Sequence, residues 1–348
     1  PAALTHQRRL WPGQDIIISA GVPAWDTRRV TRRAWFSLSI TAALWGASYM
    51  FIKVDLDHGL SGGFIIFART VLGALVLVPL AVRAGAVRAL VVRRWWALAL
   101  AMAQVIVPFG LITFGEKHVP SSLAGILVAT SPLFVALLAV RLDPAERSHG
   151  WGLVGVVLGM VGVVLLFGVD LSGHTDTLLG GLMIVGAGAC YGVAVLIAKR
   201  AFTGVPPVGV AASNLVISAV AWLPVALLSL PSHAPGTSAV LSLLVLGAGG
   251  TGAAFYFFYR SIAEVGPARA SVVAYVAPAF AVLYGVTLLG EHLTAGMLGG
   301  LGLILAGSWL AAQGRLPGRA APAPVGADAA LSRSAPSRST APEPVRAR

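Results

Sequence analysis

Charged residues and cysteines are both scarce in this chain, and each scarcity excludes a class of protein. Charged residues make up 11% of the 348 positions, whereas soluble domains typically carry about 25%. So few charges cannot solvate the surface of a water-soluble protein of this length. The sequence has a single cysteine, Cys190, which excludes an internal disulfide and a metal site built from several cysteines. No P-loop motif occurs in it, so we expect no ATP hydrolysis by this chain.

Apolar residues fill the sequence instead, at 57% of positions and with a mean hydropathy of +0.84. They come in runs of about 20 residues, the length that a helix needs to cross ~30 Å of hydrocarbon. The runs do not alternate and are about twice as long as a barrel strand, which disfavours a β-barrel. The chain is therefore predicted to be an all-α integral membrane protein. Its ten transmembrane helices are predicted near residues 34–54, 63–82, 95–114, 121–140, 150–168, 178–198, 208–230, 238–259, 271–289 and 296–312.

The sequence also repeats itself at a spacing of 146 residues. Residues 44–53 read LWGASYMFIK and residues 190–199 read CYGVAVLIAK, with an aromatic residue, a glycine and a lysine at matching places. The same spacing gives the pairs Ala124 and Ala270, Pro132 and Pro278, and Phe134 and Phe280. Two repeats are therefore predicted, at 34–168 and 178–312, a construction that is commonest among transporters. Each would hold five helices, an odd number, so the second repeat would be inverted in the membrane, as in proteins that work by alternating access.

Lysine and arginine are unevenly distributed between the two sides of the predicted bundle. With the N-terminus inside, 22 of the 25 basic residues fall on the inner side, and Lys117 lies in an outer loop. Because cytoplasmic loops are enriched in these residues, both termini are predicted to be cytoplasmic and the protein to lie in the plasma membrane. The net charge of +12 then reflects topology and attraction to anionic lipid, and we expect no nucleic-acid partner.

The two terminal segments lack the long apolar runs. Residues 1–33 are predicted to be an irregular cytoplasmic segment, and residues 313–348 a disordered, basic cytoplasmic tail. We expect no cleavable signal peptide, because the apolar run at 16–18 is too short. Val30 is a candidate start, in which case residues 1–29 would be an upstream artefact.

Several short motifs, in order along the chain, resemble one family of transporters. The first half has the 44–53 segment, Arg69 in span 2, and the stretch 124–138 with Ser131-Pro132. The second half adds Tyr256 to Arg269, Ala277-Pro278, Leu289-Gly290-Glu291, Gly299-Gly300 and Ala306-Gly307. In this order and spacing the motifs are similar to those of EamA-type members of the drug/metabolite transporter superfamily, over about 34–312.

The resemblance implies a secondary transporter, with export as the expected direction. Members of this family carry amino acids, other metabolites and drugs, so it leaves the substrate open. The chain departs from the family pattern at Cys190-Tyr191, where a tryptophan is usual, and at Glu146, which lies one residue further from its proline than Glu291 does. Neither departure changes the predicted fold.

Arg69 lies about six residues, or roughly 10 Å, into the second predicted span. A charge at that depth is costly unless it is paired or hydrated, so Arg69 is expected to face the bundle interior. There it would anchor an anionic group of a substrate. The alternative is a structural pair with Asp55, Asp57 or free carbonyl groups.

Aromatic and polar side chains within the spans are candidates for lining a substrate cavity. Trp45, Ser48 and Tyr49 share one helical face, at positions i, i+3 and i+4. The alternative is helix packing, with Ser48 bonding back to its own helix. The remaining candidates for substrate binding are Gln104, Tyr256, Tyr259 and Tyr275.

Lys53, Pro132 and Pro278 are candidates for a vestibule or a hinge. Lys53 lies near the predicted outer end of its helix, where snorkelling to the interface is the alternative role. The two prolines occupy equivalent places in the repeats, and each would free a carbonyl group and bend its helix. A static bend is the alternative to a hinge. Glu146 and Glu291 follow equivalent spans and are expected to cap nearby helix starts.

The balance of charge in the spans bears on the substrate. No aspartate or glutamate falls in the middle of a predicted span, and the interior charges are positive. Proton-coupled export of cationic drugs usually needs a membrane carboxylate. We therefore expect export of neutral, zwitterionic or weakly anionic metabolites such as amino acids, with a multidrug exporter as the alternative. From other classes, a non-transporting scaffold or a membrane-embedded enzyme stays open.

We expect neither a cofactor nor a metal, because no spacing supplies His, Asp or Glu ligands at membrane depth. The expected partners are a small-molecule substrate and the lipid bilayer. Glycines four residues apart, such as Gly155 and Gly159, indicate helices whose backbones approach closely. They are compatible with contacts inside one monomer and with a homodimer, so the oligomeric state is left open.

Overall fold

The computed structural model describes residues 32–86, 91–142, 151–169, 175–265 and 267–313. Within these ranges all regular structure is helical, as a chain must be where lipid offers its backbone no hydrogen-bond partner. Almost all of the two predicted terminal segments lies outside the described residues, as does the turn that contains Glu146. The first helix begins at Arg32, two residues before the predicted start of the first span.

The helices are numbered in chain order. They are α1 (Arg32–Asp57), α2 (Gly62–Arg83), α3 (Arg94–Ala101), α4 (Val107–Gly115), α5 (Ser121–Val128), α6 (Ser131–Leu142), α7 (Trp151–Val169), α8 (Thr175–Ala201), α9 (Pro207–Leu228), α10 (Thr237–Leu244), α11 (Ala254–Val265), α12 (Pro267–Ala270), α13 (Val273–Leu288) and α14 (Ala295–Gln313).

A helix lies at each of the ten positions where a span was predicted. In the described ranges, nine helices or continuous helical stretches are long and apolar enough to cross a membrane, and α13 is a shorter apolar helix. These results establish a multi-pass helical membrane protein. Ten crossings arranged as inverted repeats remain a prediction.

Two of the helical stretches contain π-helical turns at equivalent places in the two repeats. One turn, Met102–Ile106, joins α3 to α4, and the other, Val245–Ala253, joins α10 to α11. A π-turn widens the helix locally and often marks a functional position. Gln104 lies in the first of these turns and Thr251 in the second.

The two equivalent prolines have different surroundings. Pro132 follows a break between α5 and α6, where Ala129 and Thr130 form a turn. Pro278 lies inside the unbroken helix α13. The helix is therefore broken beside Pro132, whereas Pro278 interrupts the hydrogen bonding of one continuous helix. The hinge predicted for both positions stays a prediction.

Helices of one repeat pack mainly against helices of the other. The contacts of α1 with α11 and α13 match those of α8 with α4 and α6, and α2 pairs with α9 as α7 pairs with α14. Exchanging the two repeats maps these pairings onto one another. The sequence repeat is thus also a repeat in packing.

The glycine of each aromatic-glycine pair lies at a close contact between the two repeats. A Cβ on Gly46 would lie 2.5 Å from Cβ of Phe280, and one on Gly192 would lie 3.0 Å from Cβ of Phe134. In each repeat, the missing side chain of the glycine therefore makes room for a phenylalanine of the other repeat. At Gly155 a Cβ would meet the backbone of α14, so this predicted close approach is a contact within the monomer.

Candidate functional site

Arg69 lies buried where the two repeats meet, with 5% of its surface exposed. Its Nε and Nη2 donate to Oγ1 of Thr251 at 3.3 and 3.2 Å. The guanidinium carbon lies 4.0 Å from the centre of the Phe109 ring, in cation–π contact. Helix α2 of the first repeat thus positions a cation against the π-turn of the second. The expected interior orientation of Arg69 is what the structure shows.

No carboxylate in the described part of the chain forms an ion pair with Arg69. Asp57, one of the expected partners, instead lies 4.0 Å from Nζ of Lys53 and is exposed. Asp55, Glu116, Tyr49 and Tyr191 are close enough to Arg69 to interact with it electrostatically, with no direct hydrogen bond to it. The guanidinium is therefore held by a neutral hydroxyl and an aromatic ring.

Asp55 and Glu116 are both fully buried, at 0% exposure. Their four carboxylate oxygens have no hydrogen-bond partner among the described residues. Asp55 lies in the last turn of α1, and Glu116 directly follows α4. Asp55 lies one residue beyond the predicted end of the first span, and Glu116 lies in the loop after α4. Both are buried because the packed bundle continues past the apolar runs.

Burial raises the pKa of the Glu116 carboxyl well above its ordinary value. The positive charges of Arg69 and Lys53 act in the opposite direction, and Glu291 raises the pKa further. Desolvation has the largest effect, since a carboxylate removed from water without hydrogen-bond donors is unstable in its charged form. Glu116 is therefore the group near this site whose charge responds most directly to hydration.

Lys53 closes the bundle above this buried cluster. Its Nζ donates to the backbone carbonyl of Glu116 at 3.3 Å. The side chain is 26% exposed, so its head lies at the boundary between the buried cluster and the surface. This position fits both roles considered for Lys53, at the mouth of a vestibule and at the interface.

Trp45, Ser48 and Tyr49 lie on one helical face, but their side chains have different surroundings in the structure. Trp45 packs against Phe255 and Phe258, with ring centres 5.8 and 4.9 Å apart. Ser48 donates to the carbonyl of Leu44 at 3.0 Å, as the packing alternative predicted. Tyr49 is half-buried and is the member of the three that lies nearest the buried charges.

The remaining candidates fall at four separate places. Gln104 Oε1 accepts a hydrogen bond from Nδ2 of Asn214 at 2.6 Å. Tyr259 stacks on the Phe255 ring, with centres 6.0 Å apart. Tyr256 is 37% exposed on the outside of α11, and Tyr275 donates to a backbone carbonyl of α14. Arg69 and Tyr49 therefore share one cluster, which Tyr256 and Tyr275 do not join.

Sequence reasoning did not assign Glu116, Tyr191 or Thr251 to this cluster, and it named Asp55 only as an alternative structural partner of Arg69. A signal existed for Asp55, because it continues the helical face of Ser48 and Ile52 at positions i+7 and i+3, and all three are buried. The described residues contain no group of three His, Cys, Asp or Glu side chains placed to hold a metal ion.

The buried cluster lies at one end of the bundle, which we call the closed end. The closed end comprises the loops at 58–61, 116–120, 229–236 and 289–294. Hydrogen bonds between the repeats join these loops and the helix ends beside them. Ser61 Oγ donates to Ser229 O at 2.8 Å and to Ser229 Oγ at 2.9 Å. Ser238 Oγ and His58 Nε2 lie 2.8 Å apart, and Ser242 Oγ donates to Phe51 O at 3.2 Å. The Ser121 and Ser122 amides donate to the Glu291 carboxylate at 2.7 and 2.8 Å.

Glu291 thus caps a helix, as expected, but the helix belongs to the other repeat.

At the opposite end, which we call the cavity end, α1 begins and α11 ends. A cavity of about 360 Å³ opens there, and it is lined by Arg32, Arg33, Phe36, Ser37, Phe257 and Arg260.

A multi-pass bundle of two equivalent halves, with charged side chains buried where the halves meet, has the organisation of a membrane transporter. The chain belongs to the EamA-like transporter family, whose model matches residues 33–168 and again residues 178–313. The two matches coincide with the two sequence repeats. Relatives of the chain include proteins named as a transporter and as an exporter, which agrees with a role in transport.

Two relatives and one solved structure illustrate the similarity. The "Uncharacterized inner membrane transporter YedA" of Escherichia coli (strain K12) is 28% identical over 85% of this chain and 95% of that protein. The "Probable terminal-alkyne amino-acid exporter" of Streptantibioticus cattleyicolor is 25% identical over 80% of this chain and 94% of that protein. A crystal structure 22% identical in sequence matches with a TM-score of 0.58, over 80% of this chain and 97% of that one, and supports the fold alone.

Proposed function

We propose that this protein is a secondary transporter that exports small zwitterionic metabolites, with amino acids as the leading class, across the plasma membrane. The observation that carries the proposal is Arg69, a buried cation between the repeats that is bonded to a hydroxyl and not to a carboxylate. A guanidinium presents a planar fork of N–H donors that matches a carboxylate. The carboxylate of a substrate would complete this site.

The mechanism we propose is alternating access by two inverted five-helix repeats. The exchangeable pattern of helix pairings supports it, because two equivalent halves can each adopt the arrangement of the other. The hydrogen bonds that join the repeats at the closed end support it as well, since a transporter that is closed at one end must open there to complete its cycle.

The proposed substrate class has support of two kinds. Aromatic rings near Arg69, including Phe109 and Tyr49, offer apolar surface to a side chain while the cation meets the carboxylate. In addition, one relative carries the name of a probable amino-acid exporter. Amino acids are therefore the first compounds to test.

A second candidate, export of cationic drugs, is favoured by one observation. The buried carboxylates of Asp55 and Glu116 supply negative groups close to Arg69 at the closed end, although no carboxylate was expected in the middle of a span. If they bound an organic cation, substitution of either carboxylate would remove resistance to lipophilic dyes. Tolerance to amino-acid analogues would then be unchanged.

The orientation that we propose places both termini in the cytoplasm and the closed end outside. The exposed arginines of the cavity end, Arg32, Arg33 and Arg260, support this orientation by their charge. A reporter fused at either terminus is expected to be active only when it is of the cytoplasmic type.

The decisive experiment uses a bacterium stripped of its own exporters. Cells that express the chain are compared for tolerance to toxic amino acids, their analogues and cationic dyes. We expect tolerance to amino-acid analogues, lost in Arg69→Ala and reduced in Arg69→Lys, because lysine keeps the charge without the planar fork. Removing hydrogen bonds between charged groups costs about 1.5–3 kcal/mol, or roughly a 10- to 100-fold loss of apparent affinity.

Arg83→Ala is the matched control, since this arginine lies exposed in the last turn of the same helix. Normal expression with unchanged amino-acid tolerance in Arg69→Ala would contradict the proposed role of Arg69. Tolerance to dyes alone would favour the second candidate.

A further inference from the structure

The closed end buries two carboxyl groups without giving them donors. Asp55 and Glu116 are both at 0% exposure, and their oxygens have no hydrogen-bond partner within the described ranges. Lys53 reaches the backbone carbonyl of Glu116, not its carboxylate. Buried carboxylates in native proteins are paired or hydrogen-bonded almost without exception, and one that is neither becomes protonated instead.

The groups that face Glu116 come from several elements. Arg69 of α2 and Lys53 of α1 are the cations near it, and Glu291, in the loop after α13, adds a negative charge. The Glu291 carboxylate is itself occupied, because it accepts the Ser121 and Ser122 amides. Arg69 is occupied by Thr251.

Asp55 has a similar setting. Arg69 and His58 are the cationic or titratable groups that interact with it, and the hydroxyl of Ser242 lies beside it. That hydroxyl donates to the carbonyl of Phe51. His58 interacts with Asp55 from the rim, where its ring bonds to Ser238.

These two carboxyls lie directly beneath the hydrogen bonds that join the repeats at the closed end. In alternating access this end must open, and water would then reach both groups. A hydrated carboxyl ionises far more readily than a buried one. The two conformations therefore differ in their affinity for protons, and a difference of that kind shifts the balance between them.

We infer that Asp55 and Glu116 are proton-binding residues of the transport cycle. When this end closes, each carboxylate takes a proton from water at that end and forms an O–H bond. When the end opens, the bond breaks and the proton returns to water. The inference rests on the proposed function for its meaning in transport, although proton binding itself is measurable without a substrate.

The sign of the pH dependence follows from the direction of the shift. A group that holds its proton more tightly in the closed conformation stabilises that conformation at low pH. The advantage is lost as the pH rises through the pKa of the closed state, which lies above the ordinary value for Glu116. For one linked proton, the ratio of closed to open molecules changes up to about tenfold per pH unit within that window.

Infrared difference spectroscopy of the purified full chain in lipid nanodiscs tests proton binding directly. A pH titration is expected to show the C=O stretch of protonated carboxyls, with part of the band lost in Glu116→Gln and part in Asp55→Asn. Asp57→Asn is the matched control, because this carboxylate is exposed and only two residues from Asp55. A band that neither buried-site substitution changes would overturn the inference.

Thiol labelling reports the conformational side. Ala239 is 1% exposed beside the closed end, and Ala239→Cys on a Cys190→Ala background places a single thiol there. Measured relative to an exposed reference thiol, so that the rise in thiolate with pH cancels, labelling is expected to quicken as the pH rises. Glu116→Gln, which mimics the protonated acid, should flatten this relative pH profile. An unchanged pH profile in Glu116→Gln would also overturn the inference.

These readouts separate this inference from the proposed function. Export of amino acids without any carboxyl band would leave the transporter proposal standing and remove the proton site. The band and the pH-dependent labelling, found without amino-acid export, would retain the proton site and remove the proposed substrate.

Discussion

Charged side chains are buried at one end of the bundle and exposed at the other. At the closed end, Asp55, Glu116 and Arg69 are buried beneath hydrogen bonds that join the repeats. At the cavity end, Arg32 and Arg33 are exposed beside an open cavity, although a hydrogen bond from Arg93 to the Ala201 carbonyl also joins the repeats there.

The difference between the ends lies in conformation more than in fold. The helix pairings of the two repeats exchange with one another, so the fold by itself gives neither end a reason to be closed. In the described part of the chain, several side-chain hydrogen bonds join the repeats at the closed end, and such bonds are individually weak enough to be exchanged. Substitutions at the two ends should therefore have unequal effects.

The largest effect on stability is expected for Glu291→Ala. It removes two hydrogen bonds from backbone amides at the start of α5 to a charged acceptor, a loss of about 2–4 kcal/mol. The melting temperature should fall, and the thiol of Ala239→Cys should label faster on the Cys190→Ala background. Glu264→Ala, at a surface ion pair with Arg260, is the control that should change neither.

A smaller effect is expected for Ser61→Ala, which removes the hydrogen bonds from Ser61 to Ser229 and the N-cap bond from the Phe64 amide to Ser61. A neutral hydrogen bond contributes about 0.5–1.5 kcal/mol. Because the hydroxyl-to-hydroxyl bond needs both serines, the double variant with Ser229→Ala should cost less than the sum of the two single variants. Strict additivity in thermal unfolding would show that the hydroxyl-to-hydroxyl bond does not contribute to stability.

The smallest effect is expected at the cavity end, for Arg33→Ala. This side chain is exposed, and surface substitutions usually change the stability by no more than about 0.5 kcal/mol. The measurement is the melting temperature, with Glu291→Ala as the reference. A loss as large as that of Glu291→Ala would mean that the two ends are held equally firmly.

The positions of the helices were predictable because apolar runs of membrane-spanning length leave few alternatives. The burial of Arg69 was predictable for the same reason, since a charge inside such a run must face protein. The burial of Asp55 and Glu116 was not predictable. A charged residue at the end of an apolar run is compatible with an exposed loop and with a buried helix end. The break at Ala129 and Thr130 depends on packing between helices, which a linear pattern does not contain.

The matched glycine and phenylalanine contacts have a consequence for the origin of the molecule. Gly46 in the first half leaves room for the Cβ of Phe280, and Gly192 in the second leaves room for the Cβ of Phe134. Each half therefore carries both members of the contact, as the halves of a duplicated and fused chain would. A side chain at Gly46 would also meet the backbone of α13, so changing Phe280 alone would not make room for it.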